Sequence, residues 1–213
     1  MNLPISVFDL FSHAIPGSMM LGLVTYIAAR AQWVRGVDLR DPKLGMVLVI
    51  ILASYLLGHF LYAPAAFLAR RFSSGSSIRE AAIKDFKERN SGLAGRPFVD
   101  VDNATLRAAI QMRSPDAAAR IAHYQSTGIM LRSSAFVLVA AALTALVEIA
   151  IGFHPRGASG FAAGLLSIAV VAAMHGQRTL RSWAITATLE TAASIEGIDG
   201  LAGEPTMAPR SET

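Results

Sequence analysis

The sequence predicts an all-α fold: an integral membrane four-helix bundle with helical cytoplasmic extensions. Three observations predict it. The 213 residues are 53% hydrophobic and only 16% charged, with a mean hydropathy of +0.46, whereas soluble domains carry roughly a quarter charged residues. The missing charge is concentrated in four runs, residues 10–29, 44–69, 133–153 and 157–177, of 20, 26, 21 and 21 residues. A bilayer core needs about 20 apolar residues per helix. The runs are also bounded by basic residues, among them Arg30, Lys43, Arg70, Arg132, Arg156 and Arg178. A helix of a soluble bundle would carry charges along one face, and the second run has none for about seven turns. With no cysteine in the chain, a disulfide scaffold, a thiol enzyme and a cysteine zinc site are excluded.

The elements follow in order. Residues 1–9 hold no Lys or Arg, so the first run lacks the positive flank of a cleavable signal peptide and is read as a retained helix. Pro16-Gly17 is expected to interrupt it, because proline suits the first turn of a helix. That gives a short interfacial helix over residues 1–13, a break, and then the first span. The segment 70–132 is too long for a plain connection. Ser73-Ser74-Gly75-Ser76 reads as a turn, and Ser77 with Glu80 as a capping box opening a helix to about Asn90. Its apolar stripe is Ile78, Ala82, Ile83 and Phe86, opposite Arg79, Lys84, Asp85, Lys87 and Glu88. Ser91-Gly92 ends it. Asp102 caps a second helix over Asn103–Arg113, and Ser114-Pro115 starts a third helix.

No strong breaker follows Pro115, so this helix is expected to run unbroken into the third span. Residues 177–195 likewise contain no Pro or Gly. Their apolar positions are Leu180, Trp183, Ala184, Ala187, Leu189 and Ala192, so the fourth helix is expected to continue until Gly197. Each extension has about 17–20 residues, roughly 25–30 Å, and the two form an antiparallel hairpin on which the loop helices pack. Residues after Gly200 are rich in Gly, Pro and Ser and are expected to be disordered. The resulting organisation is 1–69 (interfacial helix and two spans), 70–132 (cytoplasmic helical loop), 133–177 (two spans), 178–198 (cytoplasmic extension) and 199–213 (tail).

Orientation comes from Lys and Arg. The first loop has 4, the loop 70–132 has 11, the third loop has only Arg156, and the tail has 3. Four crossings put the N-terminus, the long loop and the tail on one side, 14 basic residues against 5. The positive-inside rule then makes both termini cytoplasmic. The loop 70–132 is net +5 and the tail after Gly176 net −2. Basic residues beside a leaflet are read as lipid-phosphate contacts, and no aromatic-rich basic stripe points to nucleic acid.

Few residues can carry chemistry. Ionisable groups inside a span are costly and so invite a functional reading. Glu148 is the charge within the third run, and Arg30 ends the first run on the same side, so the two can pair. The plainer reading is that Glu148 reaches the interface. His59 lies near the middle of the second run, with Tyr55 and Tyr62 on its face and Gly58 beside it. This stripe lines a pore or proton path, or fixes helix packing by hydrogen bonds. His13 and His175 both fall near cytoplasmic ends and are not expected at the depth of His59. A bis-histidine haem would have to pair His13 with His175, and no cofactor or metal is expected. Gly160 and Gly164 form a GxxxG, and Ala141/Ala145 and Ala169/Ala173 are small-xxx-small pairs, which permit close helix packing. There is no P-loop, HExxH, GxSxG or paired-carboxylate motif.

Two motifs carry a resemblance. The segment from Phe8 to Gly17 reads FDLFxxxIPG, and Tyr55 to His59 reads YxxGH. The chain resembles a loose group of small bacterial membrane proteins with four spans, some of which are membrane components of anti-phage defence systems. The resemblance implies the inner membrane of a bacterium and an antiviral, membrane-perturbing role. Taken with the residues, it leads to a non-enzymatic protein: an oligomeric channel, pore or effector controlled through its cytoplasmic helices. The alternatives are a membrane-anchored scaffold or sensor for a cytoplasmic protein, and a lipid-acting enzyme built on His13, His59 and Glu148. The expected partners are the lipid bilayer, further copies of the chain and a cytoplasmic protein, not nucleic acid.

Overall fold

A computed structural model describes residues 7–33, 44–72, 75–152 and 156–202. The described residues form helices and no strand. The helices are α1 (Val7–Arg30), α2 (Leu44–Phe72), α3 (Gly75–Arg89), α4 (Asn103–Arg113), α5 (Pro115–Ile151) and α6 (Arg156–Ala193). Short 3-10 turns occupy Ser91–Leu93, Pro97–Asp100 and Ile198–Ala202. Four helices, α1, α2, α5 and α6, are long and apolar enough to cross a membrane. They correspond to the four runs of the sequence. With 37 and 38 residues, α5 and α6 measure about 55 Å each. Both are therefore longer than a bilayer core is thick, and neither has a proline after its first residue.

The chain divides into two compact units. The first comprises Met1–Ser74 and Ser126–Thr179, the second Gly75–Gln125 and Leu180–Thr213. The boundary in α5 falls within the segment expected to be loop, so residues 126–132 go with the spans.

In the first unit, only a minority of each span is buried. Its outward side chains are large and apolar, Phe60 (77% exposed), Val49, Phe67, Phe161 and Val171 among them. Patches of this extent are foreign to soluble monomers and suit a hydrocarbon solvent. One expectation is corrected here. Pro16-Gly17 does not break the first helix: α1 is continuous, with Pro16 inside it. Proline removes one backbone hydrogen bond from a helix, but such a loss is tolerated where neighbours cover it. Pro16 is fully buried at the contact described below. The proposed interfacial helix over residues 1–13 is thus partly α1 itself, and residues 1–6 lie outside the described residues.

The second unit has an ordinary hydrophobic core. Ala82 and Phe86 of α3, Phe98 and Val99, Leu106 and Ile110 of α4, Ile121 of α5 and Leu189 of α6 are buried together. Phe86 and Phe98 meet edge to face, ring centres 6.3 Å apart. The α3 stripe read from the sequence points into this core, with Ile78 and Ile83 at its margin. Arg79 departs from its expected solvent face: its guanidinium donates to the Val101 carbonyl (3.1 Å). The α3 boundary also shifts. The helix begins at Gly75, so Ser77 lies within the first turn, because a serine-rich stretch offers several equivalent starts. By contrast α4 has the expected bounds, and the Asp102 carboxylate accepts from the Ala104 N–H (2.8 Å). Arg96 pairs with Asp199 (2.5 Å), and Arg113 donates to the Glu196 carbonyl. These bonds tie the segment after α6 to the rest of the unit. The disordered tail expected over 199–213 is corrected at its start: residues 199–202 belong to the last 3-10 turn, and Asp199 is held by Arg96; residues 203–213 lie outside the described residues.

Candidate functional site

The site is built where α1 crosses α2. As α1 advances from His13 to Gly17, its partner in α2 falls from Gly58 to Ser54, so the helices are antiparallel. A methyl group on Gly17 would overlap the Ser54 carbonyl, and one on Gly58 would overlap the His13 backbone. The obstacles are backbone atoms, which cannot swing aside. Only glycine at both positions allows this approach. Ser12, Pro16 and Ser54 are buried around the contact. Gly58 therefore packs on α1, and Gly17 is its counterpart.

This approach brings three rings together. His13 and His59 lie edge to face with centres 4.1 Å apart, and Tyr55 stacks at a tilt on His59 at 4.9 Å. Tyr55 and His13 are 6.2 Å apart. The expected depth of His13 is thus corrected: it meets His59, not His175. The error came from the supposed break at Pro16, which would have left His13 outside the span. With α1 continuous, His13 sits two turns inside it. The pair does not fit a haem, whose axial imidazoles stand on opposite faces of the porphyrin. His59 itself is exposed on the outside of the subunit.

Tyr62 does not join these rings. It faces Arg132 of α5, whose guanidinium lies 4.6 Å from the ring centre, a cation–π contact. The Arg132 Nε and Nη2, the Ser133 hydroxyl and the Gln177 amide oxygen are buried without a hydrogen-bond partner among the described residues. Leaving such a group unpaired costs about 1–3 kcal/mol, so this polar layer is costly for a structure to keep. Leu131 packs over Gly176 beside it.

Glu148 and Arg30 come within 3.8 Å at the other end of α1. Tyr26, one turn before Arg30, mediates the contact: its hydroxyl donates to Glu148 Oε1 (2.5 Å) and accepts from Arg30 Nε (3.4 Å). Tyr26 stands 13 residues beyond His13 on one helix, about 20 Å away. His13, His59 and Glu148 therefore do not converge on one reaction centre. The close packing expected at Gly160 and Gly164 is also not found within the subunit: both are exposed, with open space where a side chain would stand.

Sequence reading missed Tyr26 and the contact of Arg132, placed His13 at the wrong depth, and took Gly17 for part of a break. A signal existed for Tyr26, which lies four residues before Arg30 and so on its face. Arg132 borders the third run, and Tyr62 lies in the half of the second run nearest the same side, which was a weaker one. Comparison with known proteins finds no matching family model, no similar curated protein and no similar solved structure.

Proposed function

We propose that this is a non-enzymatic inner-membrane protein acting as an oligomeric channel, pore or membrane-perturbing effector, controlled through its cytoplasmic helices. One observation carries the reading. His59 is ionisable, lies midway along a helix long enough to span, and is exposed on the outside of the subunit. Hydrocarbon is a poor environment for such a group. A second copy of the chain or a water-filled path removes the penalty. Four helices of one small subunit seldom enclose a wide path, so conduction requires assembly. The open faces of Gly160 and Gly164 offer a surface for close helix approach between subunits. The resemblance of the IPG and YxxGH segments to four-span defence proteins supports the effector form of this reading, and both segments take part in the α1–α2 contact.

The test pairs sizing with flux. Detergent-purified protein is expected to run as an oligomer, and proteoliposomes to leak ions at a rate that His59→Ala changes. A monomer without flux overturns the reading. A scaffold or sensor role is the second reading, favoured by the separate core of the second unit and its exposed Met112 and Trp183 (79% and 55%). Stoichiometric capture of a soluble partner, with no conductance, would select it.

A further inference from the structure

The far ends of α1 and α5 enclose a cleft of about 450 Å³, within the size range of small-molecule sites, roughly 300–1,000 Å³. Its walls are apolar: Ile27 from α1, Val147 and Ile151 from α5. Thr144 adds no polar demand, because its hydroxyl already donates to the Ala140 carbonyl (2.9 Å). At one place the lining turns polar, where Tyr26, Arg30 and Glu148 meet. We propose that this cleft binds one phospholipid with a zwitterionic headgroup, its phosphate on Arg30, its ammonium toward Glu148 and an acyl chain along Ile27, Val147 and Ile151.

The assignment rests on the four helices crossing a membrane, and on three features of the cleft. It lies at the ends of two spans, where hydrocarbon meets water. Its apolar walls are exposed on the side of the subunit, so a chain enters from the bilayer without leaving an apolar solvent. Among the described residues its charges are one cation and one anion 3.8 Å apart. That pairing matches a head carrying both signs and leaves a purely anionic head facing Glu148. The two differ in access, with the Arg30 side chain 37% exposed and Glu148 17%. The phosphate therefore meets Arg30 first, where a guanidinium can grip it with two parallel bonds. Tyr26 holds Glu148 in place by its short hydrogen bond.

The full chain is reconstituted in nanodiscs of phosphatidylethanolamine and phosphatidylglycerol in equal amounts, transferred to detergent and weighed by native mass spectrometry. One phosphatidylethanolamine per subunit is expected to remain. Arg30→Ala should weaken retention about tenfold, the loss of one charge-assisted contact. Val147→Trp, which fills the cleft and leaves the charges intact, should abolish it. Helical circular dichroism checks that each variant is folded. The proposal is overturned if no phospholipid is retained, if phosphatidylglycerol is preferred, or if both folded variants retain lipid like the parent. Failure of the membrane reading is a separate result: the protein would then stay in solution without detergent.

Discussion

Gly17 and Gly58 are the residues on which the candidate site depends. Each faces a backbone that cannot move, so an added methyl must push α1 and α2 apart. Gly17→Ala and Gly58→Ala are each expected to cost about 1–3 kcal/mol, the usual penalty of overpacking. Thermal midpoints in detergent should fall accordingly, and an unchanged midpoint would show that the helices do not touch there. In the second unit the comparable residue is Phe86, fully buried against Phe98. Phe86→Ala should cost about 3–5 kcal/mol. The two kinds of loss have opposite geometry, one from a group too many and one from a group too few.

At the scale of elements, the helices with strong local signals were readable. Asp102 caps α4 by a side-chain bond to the Ala104 N–H, so the start of α4 is written in three consecutive residues. Asp102→Ala should lower stability by about 1 kcal/mol, measurable as a shift in the denaturation midpoint without loss of fold. The length of α5 and α6 was readable from an absence: neither extension has an internal Pro, and Gly128 of α5 is too weak a breaker by itself to end a helix. The continuity of α1 was not. Proline followed by glycine is a break by local propensity, yet here tertiary contact uses both, Pro16 as a buried surface and Gly17 as clearance. That misreading also hid the His13–His59 pair. Contacts between helices depend on which residues are opposite, and apolar runs do not fix that. Arg30 with Glu148 was accessible because Arg30 ends the first run and Glu148 lies toward the end of the third on the same side.

For the whole molecule, charge and apolar surface are distributed in complementary ways. The four long apolar helices expose hydrocarbon-like side chains, whereas most of the basic residues lie between residues 70 and 132. The protein is expected to remain with membranes through an alkaline wash, and release by such a wash would contradict the four spans. Orientation has its own test. Lys84 and Arg89 of α3 are exposed and, among the described residues, engaged in one-turn ion pairs, which are weak at a surface. Trypsin should cut near them in inverted vesicles and spare them in intact spheroplasts. The opposite pattern would place the second unit outside the cell.

The α1–α2 crossing has a consequence for how such a chain can vary. Two side chains in contact can change together, one growing as the other shrinks. Here each glycine faces a peptide carbonyl, and every amino acid carries the same carbonyl. No exchange at position 13 or 54 can make room for a larger residue at 58 or 17. Among relatives that keep this crossing, both glycines should be invariant while showing no pairwise covariation with the residues they touch. A method that infers contacts from correlated substitutions would therefore be blind to this contact.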